Sequence, residues 1–311
     1  ETFKEKEEEQ EKYYDFNERN TLFEPELILG RIFDYLCVKA KELEEFKQIE
    51  NEIVHFKRIK VTDSEKYEEI KKNIEKVLQY PEKQEELKEE LKEGLKEGLR
   101  MEYDKHFLEE YVKKAEELVQ TKSTKIDNLE VKYLANHYYL PVVISEAEKN
   151  EYITHIINVK SEVEFIKQLE EYLSKPENVF SKVDWWMFSK LDQTLDEVYI
   201  PYYNSKENKL SKFKPDFIFW MQKGNRYLIL FIDPKGTEHT DGYRKIDGYS
   251  EIFEIETANK EKKSREFSYD GHIVSTKLLL KPRRGVADVL DAYKAYWFDN
   301  FADFEKSLSD F

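Results

Sequence analysis

The stretch KFKPDFIFWMQKGNRYLILFIDPKG, residues 212–236, constrains the fold more than any other part of the chain. Two apolar runs rich in β-branched and aromatic residues, Asp216–Met221 and Tyr227–Asp233, flank Gly224-Asn225. That is the pattern of a β-hairpin with a two-residue loop. With Gly224 and Asn225 in the loop, Lys223 pairs with Arg226, Ile218 stands opposite Phe231, and Asp216 stands opposite Asp233. Directly opposed side chains have Cβ atoms about 5 Å apart, and like charges placed there destabilise a sheet. Alternation puts Lys235 on the same face as Asp233. Two carboxylates pressed together beside a lysine build a sheet badly and hold a divalent cation well.

The ligand types point to a hard cation. Mg²⁺ binds one or two protein carboxylates, keeps several waters and takes substrate phosphate as a further ligand. A nearby lysine stabilises charge on a transferring phosphoryl group, and the metal activates water and polarises the phosphoryl oxygen. The pattern therefore fits metal-assisted phosphodiester hydrolysis. The plain structural alternative is a hairpin whose aspartates only end the strands, as Asp often does, with Lys235 a solvated neighbour.

Pro215-Asp216 followed by Asp233-Pro234-Lys235 resembles the PD-(D/E)xK nuclease motif. The stretches LANHYYLPVVIS, SEVEFIKQLEEYL, WWMFSKLDQTLDEVYIPYYN, and KFKPDFIFW through IDPKGTEH carry a wider likeness. They are similar to the C-terminal endonuclease region of type III restriction enzyme restriction subunits and related DEAD/DEAH helicase–nucleases. The likeness runs from about Leu129 to the C-terminus, and EIVHFKRIKV resembles more weakly the region that follows the helicase motor. The resemblance implies a restriction-endonuclease-like core, and a Mg²⁺-dependent DNA endonuclease in which Mn²⁺ can substitute. It implies catalytic roles for Asp216, Asp233 and Lys235, with the aspartates as metal ligands. It also implies an upstream helicase motor, a separate specificity or modification subunit, and a restriction or antiphage role in a prokaryotic cytoplasm.

The family also places an acid, a metal ligand and catalytic residue, on the helix before the hairpin. Glu162 lies three, four, seven and eleven residues before Phe165, Ile166, Leu169 and Leu173, which sets it on their apolar face. An inward carboxylate needs a partner there. Glu164 is the second candidate, although Ser161-x-x-Glu164 also reads as a capping box. After the hairpin, Gly236 lets the chain leave the strand close to a substrate backbone. A helix then begins near Thr240 or Asp241. Tyr243 and Lys245 on it are possible site residues, against a simpler reading of Tyr243 as core and Lys245 as solvated. His239 reads as incidental.

The chain has 311 residues and a formal charge of −15, which argues against a general nucleic-acid coat. From Asn204 to Arg284, however, 17 Lys and Arg face 12 Asp and Glu. A basic belt around an acidic motif suits phosphate binding. Lys209, Lys212, Lys214, Lys245, Arg283 and Arg284 are the candidate DNA contacts, with Lys281 beside them. The single cysteine, Cys37, excludes an internal disulfide and a cysteine-built zinc site. No apolar run approaches the length of a membrane span, and no signal peptide is visible. No Gly-x-x-x-x-Gly-Lys-Ser/Thr loop occurs, so no ATP site is expected. The first residue is Glu, as in a processed chain or an excised fragment, and the resemblance implies the second.

Two regions follow from texture. Residues 1–123 read as mostly helical and polar, with an amphipathic helix over Leu22–Phe46, a short strand at EIVHFKRIKV and an exposed connecting helix over Lys83–Arg100. In the last, leucines every four residues spiral slowly around the axis. Residues 124–311 read as an α/β domain: a mixed sheet with a central hairpin flanked by helices. Strands are expected at Asp184–Lys190, Val198–Tyr203 and His272–Leu280, and a final helix through Val286, Val289, Leu290, Tyr293 and Trp297. A metal-dependent DNA endonuclease is the leading expectation. A non-catalytic nuclease-like module that docks DNA or protein is the alternative, and the motif does not separate DNA from RNA.

Overall fold

A computed structural model of the chain describes residues 4–5, 24–36, 61–98, 105–138, 141–145, 153, 156–191, 198–234, 239–257, 262–282, 289–309 and 311. The chain packs as two compact units: Lys47–Lys160, and Glu1–Phe46 together with Ser161–Phe311. The change of texture near residue 123 does not mark this division. The β-rich segment that follows it packs onto the preceding helices instead.

The chain opens with β1 (Lys4–Glu5) and α1 (Pro25–Leu36), both part of the larger unit. The smaller unit holds α2 (Ser64–Leu78), α3 (Tyr80–Gly98) and α4 (Lys105–Lys122). A three-stranded antiparallel sheet follows, of β2 (Ser123–Ile126), β3 (Leu129–Lys132) and β4 (Val142–Ser145). Asp63 caps α2 by accepting the N–H groups of Glu65 and Lys66. Ile70, Ile74 and Val77, one face of α2, pack on Ile126, Leu129, Val131 and Val143 of the sheet. The helix expected to be an exposed connector is instead half of a pair. On α3, Leu87 is buried, and Glu90 bridges Lys114 of α4 at 2.6 Å. The strand expected at EIVHFKRIKV lies outside the described residues except for Val61, which bridges Ile153.

The larger unit continues with α5 (Lys160–Leu173), β5 (Trp185–Lys190) and the hairpin β6 (Ile200–Asn204)–β7 (Lys209–Phe213). Next come β8 (Phe217–Lys223), β9 (Arg226–Asp233) and α6 (His239–Phe253). The rest is β10 (Glu254–Glu256), β11 (Lys262–Ser264), β12 (Phe267–Tyr269), β13 (His272–Leu280) and α7 (Phe301–Ser307). Six strands form one sheet in the order β1-β12-β13-β9-β8-β5. It is mixed, because β13 runs parallel to β9 while its other pairings are antiparallel. The hairpin has the register its sequence dictates, with Lys223 opposite Arg226, Ile218 opposite Phe231 and Phe217 opposite Ile232. Gly224 takes φ +60° at the first loop position, where a type II′ turn needs glycine.

From Phe217 to Met221 and from Tyr227 to Asp233 every residue is buried, so both faces of the hairpin are covered. Phe165 of α5 packs on Phe217 and Phe219 on one face, and Tyr249 and Phe253 of α6 pack on Phe231 on the other. The last expected helix differs. Asp291–Tyr296 is a 3₁₀ turn, and residues 283–288 lie outside the described set. Trp297 is extended and bridges Leu280 in parallel, which ends any helix there, and α7 restarts under the Asn300 cap.

Candidate active site

The N-terminal end of β8 and the C-terminal end of β9 lie side by side at one end of the sheet, between the layers of α5 and α6. Helix α5 contributes Glu162. It shares the buried stripe of Phe165, Ile166, Leu169 and Tyr172, with Tyr172 rather than Leu173 completing the face. The helix begins at Lys160, one residue before Ser161, so the capping box does not form, and Glu164 instead accepts a hydrogen bond from Gln168 at 2.8 Å. Glu162 is 1 % exposed. An ionised carboxylate that deep needs a counter-charge, and Lys190 supplies it, with Nζ 3.1 Å from Glu162 Oε2.

Lys190 ends β5 opposite Phe217, one residue from Asp216. Its ammonium also lies 3.5 Å from Asp216 Oδ1 and over the Phe217 ring, 5.5 Å from the centroid. Asp216 is 1 % and Asp233 2 % exposed. Strand pairing fixes the main chain of both: the Asp216 carbonyl accepts Leu191 N–H at 2.8 Å and the Asp233 carbonyl accepts Lys281 N–H at 3.0 Å. Burial, and next the charge of Asp216, push the Asp233 carboxyl up to about 6, against the opposing pull of Lys245. Lys245 of α6 lies 2.8 Å from Asp233 Oδ2, with its ammonium 4.5 Å from the Phe213 ring centroid. Three buried acids from three elements thus meet two lysines from two more.

The remaining sequence candidates divide clearly. Lys235, Arg283 and Arg284 lie outside the described residues, as does the side chain of His239. Lys245 leaves the solvated face assigned to it and joins the acids. Tyr243 stacks on Tyr293, 4.4 Å between centroids, and its hydroxyl accepts Leu290 N–H, so it is structural. Lys209 pairs with Glu207 on an exposed turn, Lys212 sits over the Tyr199 ring, and Lys214 is half-buried next to Pro215. Lys281 donates to Gln168 Oε1 and to the Asp299 carbonyl, and burial lowers the pKa of its ammonium. Lys190 escaped the sequence reading. Its only signal is the pairing of β5 with β8, a contact between residues 26 apart that no local pattern announces.

The donor set tests the fit of a metal. All three acids are hard oxygen donors, and Asp216 and Asp233 stand close enough for the charge of one to raise the pKa of the other, after burial, against Lys245. Among the described residues no three His, Cys, Asp or Glu side chains stand as a ready-made metal group. Asp216 and Asp233 alone still match Mg²⁺, which uses one or two carboxylates beside phosphate and water. No helix among the described residues is long and apolar enough to cross a membrane. The YagJ family model matches residues 153–296, a span that contains Glu162, Lys190, Asp216, Asp233 and Lys245. No curated protein and no solved structure matches the chain.

Proposed function

We propose that the acid cluster is the centre of a metal-dependent endonuclease that hydrolyses DNA phosphodiester bonds. The supporting observation is the meeting of Glu162, Asp216 and Asp233 with Lys190 and Lys245 at one end of the sheet. Asp216 and Asp233 would hold Mg²⁺ or Mn²⁺, with Glu162 as the third acid. The bound ion would lower the pKa of the attacking water and polarise the phosphoryl oxygen. The chain's own residues bind, orient and balance charge. Strand pairing fixes Asp216 and Asp233 and the α5 stripe fixes Glu162, while the lysines would offset the anionic phosphate. Lys235, by its place in the motif, is the residue assigned to stabilise charge on the reacting phosphate.

The hairpin β6–β7 runs directly into Lys214-Pro215-Asp216 and exposes Tyr203, Lys206, Lys209 and Lys212. Lysines beside an exposed aromatic suit contact with a nucleic-acid strand. The motif resemblance extends the proposal to a setting: the cutting end of a restriction or antiphage helicase–nuclease in a prokaryotic cytoplasm. The motor and the specificity subunit would be supplied elsewhere.

The test is plasmid DNA incubated with purified protein and Mg²⁺. Cleavage is expected from the wild type, and a loss of at least ~10²-fold from Asp216→Asn, Asp233→Asn or Lys235→Ala, the scale of removing a group central to the chemistry. Equal cleavage by the wild type and all three variants contradicts the proposal. One observation favours a second reading, a non-catalytic DNA- or protein-docking module: the two lysines already pair with the acids, as in a structural ion network. DNA retention with neither cleavage nor Mn²⁺ uptake would select it, and cleavage of RNA alone would move the substrate from DNA to RNA.

A further inference from the structure

Lys190 stands where a cation bridging Glu162 and Asp216 would stand, 3.1 Å from one carboxylate and 3.5 Å from the other. The ammonium therefore bridges two acids instead of serving one. Exposure separates it from its partners: the Lys190 side chain is 19 % exposed, those of Glu162 and Asp216 only 2 % and 1 %. The acids are fixed in the interior by a helix stripe and a strand end, while the lysine side chain is partly exposed. A lysine carries its charge as a compact, strongly hydrated group on a flexible stem, and so can be exchanged where a forked guanidinium would stay clamped. Lys245 differs, since it holds a single oxygen of Asp233 at 2.8 Å.

We propose that Lys190 is the counter-ion that this cluster exchanges for its divalent metal. With Lys190 seated, Glu162 is paired and kept from acting with Asp216 as a ligand pair. A divalent ion carries twice the charge into the same oxygens and displaces the ammonium. The released head stays tethered beside the cluster, within its own stem's reach of a phosphate brought in with the metal. Glu162 is thus paired when the site is empty, and its lysine is released towards the phosphate as the site loads. This inference rests on the metal reading of the site.

The test compares Mn²⁺ titrations by calorimetry of the full chain as wild type, Lys190→Met and Asp233→Asn. Exchange predicts that Lys190→Met binds Mn²⁺ more tightly than the wild type, on the order of tenfold, because a competing charge-assisted hydrogen bond is gone. A lysine that only organises the acids gives the opposite sign, and weaker or unchanged binding by Lys190→Met overturns the inference. If the wild type binds and Asp233→Asn does not, while Lys190→Met is unchanged, the exchange alone falls and the metal site stands. If none of the three binds, both fall. A measurement on the wild type avoids any folding defect of the variant: acetylation of Lys190 by an amine-reactive ester, followed by mass spectrometry. Exchange predicts faster acetylation when Mn²⁺ is present, and an unchanged rate overturns it.

Discussion

Asp233 sits in an environment at odds with its ordinary chemistry. Its carboxyl titrates near 6 in the folded chain against 3.8 for the unperturbed group, because burial and Asp216 both oppose its charge. The folded state therefore holds a proton that the unfolded state has released between these values. Stability from this group is retained below pH 4 and falls as pH rises towards 6, by up to about 3 kcal/mol. Melting curves of the metal-free protein should show that decline from pH 4 to pH 7, and Asp233→Asn should flatten it. A variant with the same slope as the wild type would contradict the assignment. Lys245→Met removes the ammonium 2.8 Å from the buried Asp233 carboxylate and should destabilise the protein at pH 8 by about 3 kcal/mol, the scale of breaking a buried pair. Denaturant titration reads that loss, and it should shrink at pH 4, where Asp233 is protonated.

At the scale of elements, the hairpin β6–β7 is pressed against α6. A Cβ at Gly248 would meet Tyr202 Cβ at 2.5 Å and the Pro201 carbonyl at 2.8 Å. Alanine in a helix ordinarily stabilises by about 1 kcal/mol over glycine. Here the clash is with backbone and a fixed Cβ, so Gly248→Ala should destabilise by ~1–3 kcal/mol, measured by thermal unfolding. The exposed end of the same hairpin gives a different prediction: Lys209→Ala with Lys212→Ala should weaken DNA binding and flatten its salt dependence by up to ~2 in log–log slope. An unchanged slope would remove the hairpin from the interface. These elements also show what the sequence made legible. The hairpin β8–β9 and the inward turn of Glu162 came through because both are local: a two-residue loop fixes every pair, and helical spacing fixes a face. Lys190 and the seating of Lys245 did not, since each depends on one element reaching another across the fold. The final helix failed for the same reason: Trp297 has helical spacing from Val289, Leu290 and Tyr293, but pairing with Leu280 claims its backbone.

For the molecule as a whole, the larger unit is assembled from both ends of the chain. Helix α1 buries Ile28, Leu29 and Ile32, and Phe33 packs on Tyr227 of β9 and Tyr269 of β12. A fragment beginning at Ser161 should therefore unfold at lower temperature than the full chain, while adding α1 as a separate peptide should recover part of the loss. Equal melting temperatures would show that α1 is dispensable. Through this packing the N-terminal segment supports the strand that ends in Asp233, so the acid cluster depends on residues more than a hundred positions away from it. The central claim is that this cluster takes a divalent ion at Asp216 and Asp233. Anomalous diffraction from crystals equilibrated with Mn²⁺ tests it most directly. A peak between the two carboxylates, lost in Asp233→Asn, is the predicted result, and saturating Mn²⁺ with no peak at those carboxylates would contradict it.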